Sequence, residues 1–268
     1  MGLGGMTDVV PLPGGGDCRS VITPSGFLEY ALGLRGMEAT DLTVPERVIF
    51  TTSPGIAAEA ARLLDGEVMP NWVYHGRYPL FRCRLRTGDI AVAHVRVGGP
   101  GAVLQLDELG AAGGRAFIGV GTVGSLDDDL DIGDVVVVES AVASDGVSRY
   151  YSAEPRVEAD GVLLSAVQRV LPQSGTKSVT ASVASTDAPY RECTDWLQAL
   201  RAKGMTGVDM ETAGVYSMAR FRGYAVVSLL AVNNHIGDDI WRPAFDSPRL
   251  EKGIRSAIDV AAAALAGP

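Results

Sequence analysis

Short runs rich in β-branched residues alternate with helical patterns of apolar residues along most of this chain. Arg47–Thr52 predicts a strand, and Ile56–Leu64 predicts a helix after Ser53-Pro54-Gly55. Ile90–Val97 predicts a second strand, which runs through a glycine turn at residues 98–101 into the helical pattern of Val103–Ala112. Repeated strand, turn and helix units favour a sheet with parallel strands at its centre.

The same alternation continues to the end of the chain. Ala116–Val120 predicts a buried strand ending in the small-residue turn Gly121–Gly124, and the four valines in Asp134–Glu139 are typical of a strand covered on both faces. Further elements are predicted as strands at Ser178–Ala184 and Tyr224–Val232, a strand and helix at Gly207–Arg222, and helices at Leu163–Leu171, Asp195–Lys203 and Arg249–Leu265. The order predicts an α/β fold, a single three-layer α/β/α domain with a central mixed β-sheet and its site in loops at the carboxyl ends of strands.

The first residues do not share this periodicity. Residues 1–17 carry a Gly-Gly-Gly run and two prolines. We therefore predict an N-terminal arm, partly flexible, over residues 1–43 and one domain over residues 44–268.

Composition narrows the possible partners. Of 268 residues, 47% are apolar and 21% are charged, as in an ordinary globular protein, and the net charge is −9. No cluster of Lys or Arg could follow a phosphate backbone, so no nucleic acid partner is expected. No apolar run approaches the roughly 20 residues of a membrane span, and residues 1–16 lack a signal-peptide pattern. The expected location is cytoplasmic, without membrane association.

The sequence does not indicate a metal or a cofactor. His75, His94 and His235 lack the short spacing of a metal-binding pair, and no CxxC motif occurs. Residues 98–101 lack the GxGxxG spacing of a dinucleotide site and the acid that should follow about 20 residues later. We therefore expect no metal and no bound cofactor.

The segment most suggestive of chemistry is Val208-Asp209-Met210-Glu211-Thr212-Ala213, where a predicted strand runs into a helix. A carboxylate at this position can accept hydrogen bonds from the two vicinal hydroxyls of a ribose. Alternatively, Glu211 is an acid in the first turn of a helix, where the helix dipole favours negative charge.

This segment resembles the ribose-binding signature of the nucleoside phosphorylase type-I superfamily, which reads roughly Val-Glu-Met-Glu-Ala-Ala. The resemblance extends over roughly residues 48–264, with further motifs in the order of the family. They are Val97-Gly98-Gly99-Pro100-Gly101, Gly119-Val120-Gly121-Thr122-Val123-Gly124, Ile132-Gly133-Asp134-Val135-Val136-Val137, Ser185-Thr186-Asp187-Ala188-Pro189-Tyr190 and Val232-Asn233-Asn234-His235-Ile236.

The resemblance implies a phosphorylase/hydrolase-like fold and cleavage of the N-glycosidic bond of a nucleoside. It also implies a homo-oligomer, a dimer or hexamer, with the site near the subunit interface. The residues it assigns are Glu211 and Asn234 for catalysis, Asp209, Met210 and Glu211 for the ribose, Asp187, Tyr190 and Val208 for the base, and Gly121 and Thr122 for phosphate or water.

The base site departs from two branches of the family. Members that cleave adenosine carry an Asp where this chain has Asn234, and an amide cannot protonate a purine. The difference favours a base that leaves as a delocalised anion, either a 6-oxopurine or uracil. Members that cleave uridine read the base with a Gln and an Arg, and that combination is missing from Arg191–Asp195.

The phosphate site of this chain differs from that of the family more than the base site does. Ile56 and Gly119 stand where the family has arginines, and Gly76 stands at a third such place, next to Arg77. Arg77 and Arg96 could rebuild a phosphate site, which would make the protein a phosphorylase that releases the base and a pentose 1-phosphate. Alternatively, water is the nucleophile and the protein is a nucleosidase, or it is a nucleoside-binding homologue without catalysis. Phosphorolysis is our leading prediction.

Overall fold

A computed structural model describes residues 20–237 and 240–267. Eleven strands occur in this part of the chain: β1 Arg47–Thr51, β2 Glu67–Val68, β3 Leu80–Leu85, β4 Gly88–His94, β5 Ala116–Ser125, β6 Val135–Ser144, β7 Arg156–Glu158, β8 Ser178–Thr186, β9 Met205–Asp209, β10 Ala225–Ile236 and β11 Trp241–Pro243. The α-helices are α1 Pro24–Gly33, α2 Pro54–Leu63, α3 Gly99–Ala111, α4 Gly161–Val170, α5 Thr194–Ala202, α6 Thr212–Arg222 and α7 Pro248–Ala266. Short 3-10 turns occur at Ala39–Asp41, Ser148–Tyr150, Leu171–Ser174 and Pro189–Arg191.

Three of these helices begin with the same local signal, a hydroxyl residue followed by proline. Thr23, Ser53 and Ser247 precede α1, α2 and α7, and each side chain accepts a hydrogen bond from a backbone N–H of the first turn. Proline suits the first helical position because its missing N–H would have no partner there. Within residues 20–237 and 240–267, no helix combines the length and the apolar character that a membrane crossing requires.

The strands form one mixed sheet in the order β11-β10-β6-β8-β9-β5-β1-β4-β3-β2, with β7 beside β6. Strand β10 also pairs with β5 in parallel, so the five strands β5, β10, β6, β8 and β9 close into a ring. The ring closes where Gly124 and Ser125 pair with Val208 and Gly207. This closure brings the end of β9, with the predicted ribose segment, beside the end of β5.

Helices cover the sheet on two sides. One core cluster holds buried residues of α1, α3 and α6, including Leu32, Leu106 and Tyr216. The other holds residues of α2, α4 and α7, including Val167 and Ile258. The structure therefore confirms the predicted α/β fold with a central mixed sheet between helical layers.

Part of the segment predicted as an arm belongs to the packed domain. Leu28 and Leu32 of α1 are buried in the same core as α3. The apolar face of α1 is covered by α3, and the domain boundary at residue 44 stays a prediction. The rest of the predicted arm, residues 1–19, lies outside the described residues.

Two strands continue beyond the ends predicted from the sequence. Residues 121–124 continue β5, and residues 233–236 continue β10, because these two strands pair with each other as far as Ser125 and His235. Glycine and asparagine are unfavourable in strands by local preference. Pairing between strands distant in the chain outweighs that preference here.

We predict that Tyr216→Phe destabilises the fold by about 1–3 kcal/mol. The Tyr216 hydroxyl is fully buried, donates to the Val138 carbonyl at 2.8 Å and accepts from the Ser228 N–H at 2.8 Å. Its removal leaves two buried backbone groups unpaired. Urea unfolding of this variant should show a lower midpoint than wild type, with the half-exposed Tyr150→Phe as control, and equal midpoints for all three proteins would contradict the prediction.

Candidate active site

A cavity of about 660 Å³ lies at the ends of β5, β9 and β10. Its lining combines carboxyl, amide and hydroxyl groups with an apolar wall. The lining residues are Thr52, Val97, Gly121, Thr122, Gly124, Pro189, Tyr190, Glu192, Val208, Asp209, Met210, Glu211, Leu230, Asn233, Asn234, Ile236, Trp241 and Phe245. A larger cavity of about 920 Å³ lies between α1, α3 and α6, but it contains neither Glu211 nor Asn234. The smaller cavity is therefore the candidate site.

Asp209 fixes the turn between β9 and α6. Its carboxylate accepts hydrogen bonds from the hydroxyls of Ser185 and Thr212 and from the backbone N–H groups of Thr212, at 2.9 Å, and Glu211, at 3.3 Å. The Ser185 hydroxyl in turn accepts from the Ala213 N–H at 2.8 Å. Burial raises the pKa of Asp209 above its ordinary value, while these hydrogen bonds act in the opposite direction. Protein donors thus occupy this carboxylate, whose contact with ribose stays a prediction.

Glu211 presents a carboxyl group to the cavity. One of its oxygens accepts from the Gly98 N–H at 2.7 Å, at the start of α3. Gly98 has φ +85°, a conformation that favours glycine, so the turn can aim its N–H at the carboxylate. Burial raises the pKa of Glu211 to about 7, and the nearby carboxylate of Asp209 adds to the shift.

A β-bulge places two asparagines at the cavity. The register of β10 against β5 shifts between Val232 and Asn234, so Asn233 is an additional residue in β10. Bulges redirect side chains near active sites, and both Asn233 and Asn234 line this cavity. A side chain at Gly124 would approach the Asn234 carbonyl oxygen to 3.1 Å and a methyl group of Ile236 to 2.6 Å. Glycine there leaves room for the amide.

Aromatic side chains and one further acid complete the wall. Trp241 and Phe245 contact each other, with ring centroids 5.8 Å apart, and the Trp241 indole donates to the Asn234 carbonyl oxygen at 2.9 Å. Tyr190 lies at the rim with its side chain fully exposed. Glu192 is partly buried, and burial raises its pKa to about 7.

The structure brings most of the predicted site residues together. Those that line the cavity are Gly121, Thr122, Tyr190, Val208, Asp209, Met210, Glu211 and Asn234. Asp187, Arg77 and Arg96 are not among the lining residues. Asp187 accepts from the Gly146 N–H at 2.6 Å, which holds it against the loop after β6, and Arg77 is exposed in the loop before β3.

Arg96 faces the larger cavity because aromatic rings hold it there. Its guanidinium lies 4.5 Å from the ring centre of Tyr74 and 5.0 Å from that of Tyr78, a favourable cation–π arrangement. Glu108 lines the same cavity, and burial raises its pKa to about 7. Arg96 therefore lines the larger cavity and not the candidate site, and its role at a phosphate site stays a prediction.

The cavity lining is acidic and contains no Arg, Lys or His side chain in the described part of the chain. Gly119, at a place where the family has arginine, packs so closely on Phe50 that a side chain would approach the ring to 2.7 Å. A side chain at position 119 would therefore require the Phe50 ring to move. Residues 20–237 and 240–267 also contain no group of three His, Cys, Asp or Glu side chains that could hold a metal ion.

Several residues that line the cavity were not predicted from the sequence as site residues. Glu192 lies two residues after Tyr190, within the stretch compared with uridine-cleaving members, and an acid at that point was the available signal. Trp241 follows a polar Gly-Asp-Asp segment, where an isolated tryptophan is unusual for a solvated loop. Phe245 and Thr52 carried no local signal, because each reaches the cavity through pairing or loop geometry.

Comparison with known proteins identifies the family of this chain. Residues 46–266 match the family model described as the phosphorylase superfamily. Guanosine phosphorylase of Halorubrum lacusprofundi is 25% identical over 194 residues, which are 72% of this chain and 80% of that protein. Uridine phosphorylase of Escherichia coli is 24% identical over 203 residues, 70% of this chain and 79% of that protein. The chain belongs to the phosphorylase superfamily, as its motifs predicted.

Solved structures share the fold. Uridine phosphorylase from Vibrio fischeri ES114 has a TM-score of 0.73 at 25% identity and covers 83% of this chain and 92% of its own. Purine nucleoside phosphorylase from Toxoplasma gondii, in complex with immucillin-H, has a TM-score of 0.76 at 23% identity and covers 86% and 93%. Enzymes for both classes of base thus share this architecture.

We predict that Glu211→Gln stabilises the protein at alkaline pH. Because the pKa of Glu211 is raised to about 7 in the folded state, the folded protein holds a proton that the unfolded chain releases near its lower, ordinary pKa. Stability associated with this group is full below the unfolded pKa and is lost as the pH rises through about 7. The variant lacks this loss and should be more stable by on the order of 2 kcal/mol at about pH 8.

Thermal unfolding at about pH 5 and pH 8 measures the effect. The melting temperature of Glu211→Gln should exceed that of wild type at the higher pH and approach it at the lower pH. Glu251→Gln, at an exposed position on α7, is the matched control. A difference between Glu211→Gln and wild type that does not change with pH would contradict the assignment.

Proposed function

We propose that this protein cleaves the N-glycosidic bond of a nucleoside by phosphorolysis, with a 6-oxopurine nucleoside as substrate. The proposal depends on one observation: a single cavity contains a carboxyl group at Glu211, hydroxyl and backbone donors at residues 121–122, and an amide at Asn234. These groups match the three parts of the reaction, namely the sugar, the nucleophile and the departing base. The relatives with guanosine, uridine and purine nucleoside phosphorylase activity support the reaction type.

Glu211 holds the ribose in this proposal. One of its oxygens receives the Gly98 N–H, so acceptor positions remain for the vicinal hydroxyls of the sugar. Met210 lines the same part of the cavity and packs against the apolar face of the ring. Fixing the sugar places its anomeric carbon near the nucleophile, which lowers the entropic part of the barrier.

Asn234 stabilises the base as it leaves. A phosphate oxygen bonds to the anomeric carbon while the C1′–N bond breaks, and both electrons of that bond go to the base. The amide N–H of Asn234 donates to the base where negative charge accumulates, and the base then takes a proton from water. The products are the free base and a pentose 1-phosphate.

Phosphate binds near Gly121 and Thr122. The described lining offers it hydroxyl and backbone donors and no cationic side chain, and neutral donors bind a dianion less strongly than arginine does. We therefore expect a high KM for phosphate in the isolated subunit. The raised pKa values of Glu192 and Glu211 reduce the repulsion between these acids and phosphate, because both acids are partly protonated near neutral pH.

We further propose a homo-oligomer located in the cytoplasm. The larger cavity exposes apolar side chains of Ile22, Leu104 and Phe221, and such patches are typical of surfaces that another chain covers. Arg77 lies exposed in its loop, where it is free to supply a cation to the site of a neighbouring copy. Sedimentation analysis of the purified protein tests the assembly.

Base release from guanosine and inosine should depend on phosphate and should yield pentose 1-phosphate. Product analysis with and without phosphate measures this directly, and Glu211→Ala should abolish release by removing the group that binds the sugar. Equal release without phosphate would assign hydrolysis instead. No release from any nucleoside would leave only a non-catalytic binding protein.

Glu192 determines which base the site prefers in this proposal. No hydrogen bond or ion pair of its carboxyl group occurs within residues 20–237 and 240–267, although it lines the cavity. Both oxygens are therefore available for a ligand. Guanine offers two adjacent donors, N1–H and the 2-amino group, which match the two oxygens of a carboxylate, whereas uracil offers one N–H between two carbonyls.

We predict that Glu192→Gln lowers kcat/KM for guanosine by about 10- to 100-fold. The amide replaces one acceptor by a donor, which opposes the donors of guanine. Inosine, which lacks the 2-amino group, should show a smaller loss. Steady-state kinetics on both substrates measures the change, Glu251→Gln is the control, and a parallel loss on both substrates would argue against a role in base recognition.

A further inference from the structure

The indole of Trp241 contacts the residue proposed to act on the base. Trp241 belongs to β11, which pairs antiparallel with the end of β10 and places Trp241 opposite Ile236. Its N–H donates to the side-chain carbonyl oxygen of Asn234 at 2.9 Å. The two side chains are far from equal in exposure: Asn234 is 9% exposed and Trp241 is 59% exposed.

This contact determines which end of the Asn234 amide faces the cavity. The carbonyl and amino ends of an amide have nearly the same shape, so only their partners distinguish them. Asn233 is also an amide and could serve either end, and here its carbonyl oxygen accepts from the Asn234 amino group at 2.6 Å. An indole N–H can only donate. Trp241 therefore requires the carbonyl end to face it.

The orientation matters because the two ends have opposite effects on a base that leaves as an anion. An N–H aimed at the base stabilises the developing negative charge, whereas a carbonyl oxygen in the same place repels it. Burial of Asn234 strengthens both effects, since little water screens the charge. One of the two amino hydrogens of Asn234 is donated to the Asn233 side chain, and the other has no acceptor among the described residues.

We infer that Trp241 is a positioning residue, which holds the Asn234 amide with its amino group towards the departing base. The inference rests on the proposed function. Since the interaction of Asn234 with the base strengthens as the bond breaks, loss of the correct orientation affects kcat more than KM.

Trp241→Phe removes the indole N–H and keeps an aromatic ring beside Phe245. We expect kcat for guanosine to fall about 10- to 100-fold, with KM changed much less. Turnover of 4-nitrophenyl β-D-riboside should be nearly unchanged, because that leaving group departs as a stable phenolate without a donor. Trp196→Phe, on α5 and outside the cavity lining, is the matched control, and circular dichroism verifies that each variant is folded.

A double-mutant cycle with Asn234→Ala gives the sharpest result. Trp241→Phe should have no further effect on kcat in that background, because the residue that Trp241 orients is absent. Equal losses in both backgrounds, or equal losses on guanosine and the nitrophenyl substrate, would overturn the positioning role. Wild-type enzyme that releases no base from any nucleoside would refute the proposed function itself, and the inference with it.

Discussion

The site depends on one buried carboxylate, Asp209, and the donors that surround it. Its hydrogen bonds with Ser185 of β8 and with the first residue of α6 join two strands and a helix at one point. A buried carboxylate without such donors would be strongly unfavourable, so the backbone of this turn has little freedom. The position of Glu211 follows, because it lies between Asp209 and Thr212. Asp209 thus fixes the position of Glu211, the acid that we propose binds the ribose.

The electrostatics of the cavity follow from its buried carboxyl groups and from the absence of an arginine at position 119. Glu192 and Glu211 have pKa values raised to about 7 by burial, while the Phe50 ring packs on Gly119, where the family carries an arginine. The carboxyl groups of such a site change charge near neutral pH. Without a cationic side chain in the described lining, the site attracts a free anion only weakly. In the proposed function, contacts with the sugar and the base therefore provide most of the affinity for the nucleoside.

Most central strands and most helices could be predicted because apolar periodicity reports them directly, whereas the short or edge strands β2, β3, β7 and β11 were not predicted. The predicted strand at Arg47–Thr52 and helix at Arg249–Leu265 differ from β1 and α7 by one residue at some ends. Errors arose where distant pairing outweighs local preference, as at residues 121–124. The apolar face of α1 was missed because Gly and Pro residues before it obscure the pattern. Of the site, Glu211 and Asn234 could be predicted because each lies in a recognisable motif.

The sequence by itself determined the family, the layered fold and the motif residues that meet at the cavity, since these follow from periodicity and from short contiguous patterns. Only the tertiary structure decided that Asp209 turns inward, that Arg96 stacks on Tyr74 at the larger cavity, and that Glu192 and Trp241 face the same cavity. The reason is physical: these placements depend on closure of the strand ring and on the bulge in β10, which bring together side chains from distant segments. No local pattern of residues encodes such contacts.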